Sequence, residues 1–303
     1  MIAFALLAAP APDFWGSILN FDNFGELVVL VRNSIFAGAV LGVVGGLIGV
    51  FVMNRDLPFA VHGISELSFA GAAGALLIGA NVVVGSAVGS LIAALVIGAL
   101  GFRARDRNSI IGVLMPFGLG LGILFLALYT GRSANKFGLL TGQIVSVDDP
   151  QLLSLVLVSV VVLVALAVVW RPLMFASIDA EIATARGVPI RALSIVFMIL
   201  LGLTVAVAVQ IVGALLVLAL LVTPAAAAMR VTASPVLTPV LSVAFAVTAI
   251  VGGILLSLGG GLPISPYVTT ISFLIYVVCW FVGRNGIRRA RKSRGSSAVK
   301  SSS

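Results

Sequence analysis

Charge is what this sequence has least of. Only 9% of its 303 residues are Asp, Glu, Lys or Arg, against about a quarter in a soluble globular domain. With 10 acidic side chains and 61% apolar residues, the chain cannot cover a water-facing surface, and it is far too apolar for disorder. Its one cysteine, Cys279, excludes an intrachain disulfide and any multi-cysteine metal site. Lys136, Lys292 and Lys300 are the only lysines, and none follows a glycine. The Gly-Xaa4-Gly-Lys-Ser/Thr phosphate loop is therefore missing, and with it the usual means of ATP hydrolysis. The single histidine, His62, lies one turn from Ser65, which does not supply the facing elements and oxyanion site of an intramembrane protease. The chain reads as a non-enzyme with no permanently bound cofactor.

Long apolar runs are what the sequence has instead. Mean hydropathy is +1.25, and about 20 residues per span leave room for eight to ten crossings. Breaks at charges, prolines and glycines predict helices over 33–53, 58–79, 82–101, 110–130, 151–170, 191–209, 211–229, 235–258 and 265–283. The fold class is all-α polytopic, with nine transmembrane helices. The count falls to eight if 191–229, apolar apart from Gln210, is one span plus a half-helix. Met1–Ala9 is too short to span and lacks the basic start of a secretory signal. Residues 1–30 therefore read as an extracytoplasmic, interfacial segment with a short surface helix, 31–284 as the membrane domain, and 285–303 as a basic, disordered cytoplasmic tail.

Nine spans divide the basic residues unevenly. One side receives Arg55, Arg103, Arg105, Arg107, Arg171, Arg186, Arg191, Arg230 and the seven basic residues of the tail, 15 in all; the other receives Arg32, Arg132 and Lys136. By the positive-inside rule the first side is cytoplasmic, which puts the N-terminus outside and the C-terminus inside. The net charge of +8 is thus a topology signal. Arg288–Arg294, directly after a span, suits anionic lipid headgroups rather than nucleic acid. Glycines four apart at 38, 42 and 46, at 45 and 49, at 85 and 89, and at 118 and 122 predict close helix packing, a property of any compact bundle.

Few polar residues fall inside the spans. His62 and Glu66 are four apart on one predicted helix and share a face, with Ser65 beside them. A helix starting near Pro58 carries Glu66 about 12 Å along its axis, near the middle of a hydrocarbon layer about 30 Å thick. A carboxylate at that depth requires a partner or a polar cavity. Imidazole plus carboxylate is half of a divalent transition-metal site. It is equally a self-satisfied pair locking helices, or a proton relay, and the residues alone do not choose. Gln210 and Thr223, the latter before the helix-breaking Pro224, are further candidates for a pore lining.

The segment SIDAEIATARGVP, Ser177–Pro189, places a short helix with two acids between apolar spans, a form suited to docking a soluble partner. Together with LSIVFMILLGLTVAVAVQIVGALLVLALLVTPAAAA it resembles the permease subunit of metal-uptake ABC transporters of the zinc, manganese and iron type. In that family an A-x-x-x-G loop helix precedes a VG-x-LLV-x-ALL-x-x-PAA-x-A span. Here Arg186–Pro189, Val212-Gly213 and Pro224-Ala225-Ala226 stand at those positions. The early block VGGLIGVFVMNRDLPFAVHGISELSFAGAA resembles the family's G-x-x-G-x-FVVLRR-x-x-F-x-GDALSHA-x-x-PG region.

The resemblance implies a homodimeric pore in the cell membrane, cytoplasmic ATP-binding subunits, and an extracytoplasmic metal-binding protein that docks near 131–150 and 259–264. It makes Asp179–Gly187 the ATPase-coupling helix, with Asp179, Glu181, Arg186 and Gly187 its marked residues. It also makes His62 and Glu66 metal ligands along the path. The family's D-x-x-x-H becomes His-x-x-x-Glu here, with order exchanged and spacing kept. Histidine and carboxylate accept zinc, manganese and ferrous iron alike, so the sequence names no one metal. A siderophore- or vitamin-type importer permease shares the coupling logic, but its wide pore does not call for the pair. An ion-coupled secondary transporter calls for an inverted repeat, and none is evident.

Overall fold

The computed structural model describes residues 24–100, 104–131, 147–259 and 264–300. Eleven helices are described: α1 Phe24–Leu30, α2 Arg32–Asn54, α3 Pro58–Leu77, α4 Val82–Leu100, α5 Ala104–Leu128, α6 Asp149–Ile178, α7 Ala180–Ala185, α8 Ile190–Val212, α9 Ala214–Val231, α10 Leu237–Ser257 and α11 Ile264–Lys300. No strand occurs among the described residues. Eight of the helices are long and apolar enough to cross a membrane. The ninth predicted span is α9, whose apolar stretch Leu216–Val231 is shorter. The stretch 191–229 is therefore two helices, broken at Gly213. There φ is +80°, a backbone state that glycine adopts without the steric cost of a Cβ.

Helix direction follows from the contacts. α8 starts beside Arg55 and Arg107 and ends where Gln210 reaches the Val83 carbonyl at the start of α4. α9 returns, and its Arg230 bonds Tyr276 on α11. Arg55, Arg107, Arg191 and Arg230 thus sit at one end of the bundle, as the nine-span reading requires. Asn81 caps α4 at the opposite end, its side chain accepting from the amides of Val83 and Val84. Arg103, Arg132 and Lys136 lie outside the described residues, as do most of the two predicted docking loops and residues 1–23.

Two glycine stripes on α2 choose two different neighbours. A Cβ on Gly42 would come within 2.9 Å of the Val247 backbone, and one on Gly46 within 2.7 Å of Val243 Cα, so α10 lies directly on that stripe. Gly45 and Gly49 turn instead toward Leu221 on α9. Gly71 of α3 meets Gly85 and Gly89 of α4 in the same backbone-to-backbone manner. α9 takes the centre: no described side chain from Leu216 to Met229 is exposed, and its neighbours are α2, α3, α8, α10 and α11. α4, α5, α6 and α11 form the periphery, where Val113, Val161, Val164 and Phe273 present apolar surface outward.

Two boundaries differ from the sequence expectation. The span predicted to stop at 170 continues as α6 to Ile178, through Arg171 and Pro172. Eight more residues carry it about 12 Å further, because a charge ends a membrane crossing without ending a helix. α11, whose span is predicted over 265–283, likewise continues to Lys300. Arg, Lys and Ala there are good helix formers, and no proline interrupts them.

Candidate functional site

Pro58 at the first position of α3 presets the helical backbone and fixes the register of all that follows. Two turns on, the Ser65 hydroxyl donates to the His62 carbonyl at 2.8 Å. Ser65 is fully buried, with its hydroxyl turned into its own helix. His62 Nε2 stands 3.6 Å from Glu66 Oε1, with the histidine side chain 30% exposed and the glutamate 5%. The pair is thus graded, the imidazole at the surface and the carboxylate behind it. His62 Nδ1 is buried without a hydrogen-bond partner. With Nε2 turned to Glu66, Nδ1 is the nitrogen left with a lone pair for another electrophile.

α5 forms the floor of this site. A Cβ on Gly118 would come within 3.0 Å of the Glu66 carbonyl carbon, and one on Gly63 within 3.3 Å of Ile111. The bare Gly118 is what lets α5 lie against α3 at the glutamate. Sequence spacing marked Gly118 only as a packing residue. Beside the pair, Phe59 is 69% exposed and, with Ile111 and Met115, borders a shallow cavity. This face of α3 and α5 is open in the single chain.

The other predicted lining residues do not join the pair. Gln210 lies near the far end, its Nε2 3.5 Å from the Val83 carbonyl, in a small cavity with Gln151 and Ser154. Thr223 is partly buried within α9, which runs through Pro224 unbroken. No group of three or more His, Cys, Asp or Glu side chains placed to hold a metal occurs among the described residues. Among the described residues, His62 and Glu66 are the two such side chains brought together at this place.

A second cluster forms at the arginine-bearing end. Asp179 caps α7, its side chain accepting from the Ile182 amide at 2.9 Å, and Gly187 leaves the helix at φ +81°. Between them Glu181, Ile182, Thr184 and Arg186 are exposed, while Ala183 is wholly buried and pins the turn to the bundle. The four residues marked in the sequence thus make one small outward-facing platform.

Serines without any distinguishing pattern along the chain tie the helices. The Ser68 and Ser86 hydroxyls are 2.7 Å apart, and Ser86 donates to the Ala206 carbonyl on α8. Ser242 on α10 donates to the Gly46 carbonyl at 2.7 Å. Their polarity is consumed inside the bundle.

An all-helical, multi-pass membrane protein with a buried carboxylate on an inner helix and a short exposed helix between two spans is the class these features define. The profile of the ABC 3 transport family matches residues 28–283, and the chain belongs to that family. Among its relatives, the manganese transport system membrane protein MntC of Halalkalibacterium halodurans is 29% identical over 228 residues, 75% of this chain and 78% of the relative. The high-affinity zinc uptake system membrane protein ZnuB of Haemophilus influenzae is 25% identical over 249 residues, 82% and 95% of the two chains. The solved PsaBC from Streptococcus pneumoniae in complex with Fab superposes with a TM-score of 0.77 at 26% identity, covering 86% of this chain and 96% of that one. The protein is a cell-membrane permease of a metal ABC importer family.

Proposed function

We propose that the chain is the membrane subunit through which a divalent transition-metal ion enters the cytoplasm, driven by ATP hydrolysis on separate subunits seated against α7. The observation that carries this reading is the graded His62–Glu66 pair on an open face of α3. An ionisable pair at that depth is costly against lipid and belongs at a water-filled path. Two ligands from each of two copies would complete a four-ligand shell on a dimer axis, and incomplete ligation by either copy keeps the ion mobile. Manganese and zinc in the names of the relatives support a divalent cargo; their difference leaves the choice between these ions, and ferrous iron, to measurement.

The arginine-bearing end is the cytoplasmic one in this reading, because Arg55, Arg107, Arg191 and Arg230 share it. An extracytoplasmic metal-binding protein would deliver the ion at the opposite end. In the host lacking its own importer, the chain expressed with its ATPase and binding protein should accumulate radioactive manganese or zinc. Glu66→Gln and His62→Ala should each abolish most of that accumulation with membrane levels of the permease preserved. Unchanged accumulation in both variants would remove the pair from the path.

A further inference from the structure

A cavity of about 510 Å³ opens at the arginine-bearing end between the starts of α5 and α8 and the ends of α2, α4 and α6. Arg55, Arg107 and Arg191 all line it, and no carboxylate does so among the described residues. Arg55 Nη1 and Arg107 Nε are buried without a hydrogen-bond partner. Buried guanidinium N–H groups that meet no acceptor are destabilising unless an anion supplies one. The Arg55 guanidinium lies over the Phe197 ring at 5.5 Å, which fixes its plane. Arg107 Nη2 donates to the carbonyls of Arg55 and Asp56, which holds the turn between α2 and α3. There Asp56 takes φ +53°, uncommon for a residue with a side chain. Burial, and then the charge of Arg107, lower the Arg55 pKa below the usual guanidinium value, as expected where like charges share a confined space.

Leu57, Ile97 and Met198 add apolar side chains to the same lining. Guanidinium groups and aliphatic side chains lining one cavity match a phosphodiester headgroup joined to acyl chains. We propose that this cavity binds the phosphate of an anionic phospholipid, phosphatidylglycerol or a lipid of like charge. Arg55 and Arg191 would contact the phosphate oxygens, while Arg107 positions the turn that carries Arg55. The cavity also borders Ser177 and Ala180, so the lipid would sit at the root of α7 and brace the platform from the membrane side. That the lipid belongs to the cytoplasmic leaflet rests on the orientation proposed above; its binding in the cavity does not.

The test uses the full-length chain extracted from mixed phosphatidylglycerol–phosphatidylcholine bilayers, with lipid retention counted by native mass spectrometry. The wild type should keep phosphatidylglycerol in preference to phosphatidylcholine. The double variant Arg55→Gln/Arg191→Gln should lower that retention by about tenfold or more. Arg171→Gln, a basic residue that does not line the cavity, should leave it unchanged. Arg191→Gln alone, at the exposed start of α8, keeps the test informative if the double variant does not fold. Equal retention in cavity and control variants would overturn the site. Displacement of the lipid by millimolar inorganic phosphate would overturn the phospholipid as its occupant and assign the cavity to a soluble phosphate. Because the readout is retained lipid, a failure here is separate from any failure of transport.

Discussion

At the scale of single residues, hydroxyls and carboxylates in this bundle divide into those used up and those left over. Ser86 is used up: its hydroxyl touches Ser68 and donates to the Ala206 carbonyl, joining α3, α4 and α8. Ser86→Ala should cost about 1 kcal/mol, visible as a lower melting temperature of the detergent-solubilised permease, with uptake little changed. Asp179 is used at a helix start. Asp179→Ala should remove the α7 cap, about 1 kcal/mol confined to that exposed turn, and lower metal-stimulated ATPase activity of the assembled complex with a smaller change in melting temperature than Ser86→Ala. Glu66 and His62 are left over. Purified complex washed gently should hold substoichiometric metal, measured by elemental analysis, and His62→Ala/Glu66→Gln should lose it. Equal metal in both would return the pair to a structural role.

The sequence made the left-over residues legible, because a lone histidine and a lone acid four apart inside apolar spans stand out without a structure. It did not show that His62 faces outward and Glu66 inward, which depends on where α5 lies. Gly118, not any polar residue, decides that. Nor could spacing show that Arg55, Arg107 and Arg191 meet: they are widely separated in the chain and belong to three different segments. Read one at a time they report orientation; only the packing of five helix ends turns them into a cavity.

At the scale of elements, the glycine spacings carried more information than a count of small residues conveys. The 38/42/46 stripe and the 45/49 stripe lie on different sides of α2 and meet different helices. Gly46→Val should therefore push α10 off its seat. Because the opposing atoms at 2.7 and 2.8 Å are Val243 backbone, no side-chain rotation can absorb the added methyls. Overpacking of this kind costs about 1–3 kcal/mol or more, and the expected result is a sharp fall in folded protein by size-exclusion profile. Gly25, with nothing within 4 Å of a built Cβ, should accept alanine without that loss. Element ends were less legible. Hydropathy marks where the bilayer stops, and α6 shows that the helix need not stop there. Its extension past Arg171 carries the helix about 12 Å further along its axis before α7 begins.

At the scale of the whole molecule, burial is unequal among the helices. α2, α3 and α8 are largely interior, whereas α5, α6 and α11 turn most of their surface outward. The open face around His62 and Phe59 is shared by α3 and α5, since Phe59 borders the same cavity as Ile111 and Met115. A reporter fused after Ser303 should be active only as a cytoplasmic reporter, and one inserted after Asn81 only as an extracytoplasmic one. The reverse pattern would invert the transport direction proposed here.

The position of α9 has a consequence for how the protein is made. An 18-residue helix of about 27 Å, wrapped by five others, never needs to match the thickness of a bilayer. It is instead matched to its neighbours, and its partners α10 and α11 are synthesised after it. A ribosome that has just delivered α9 thus leaves a helix in the membrane with much of its permanent surroundings still unmade. Nascent chains halted before Leu237 should be open to quality-control proteolysis, and chains extended past Arg284 should escape it. The vulnerable interval in the life of this permease is therefore its last two spans of translation.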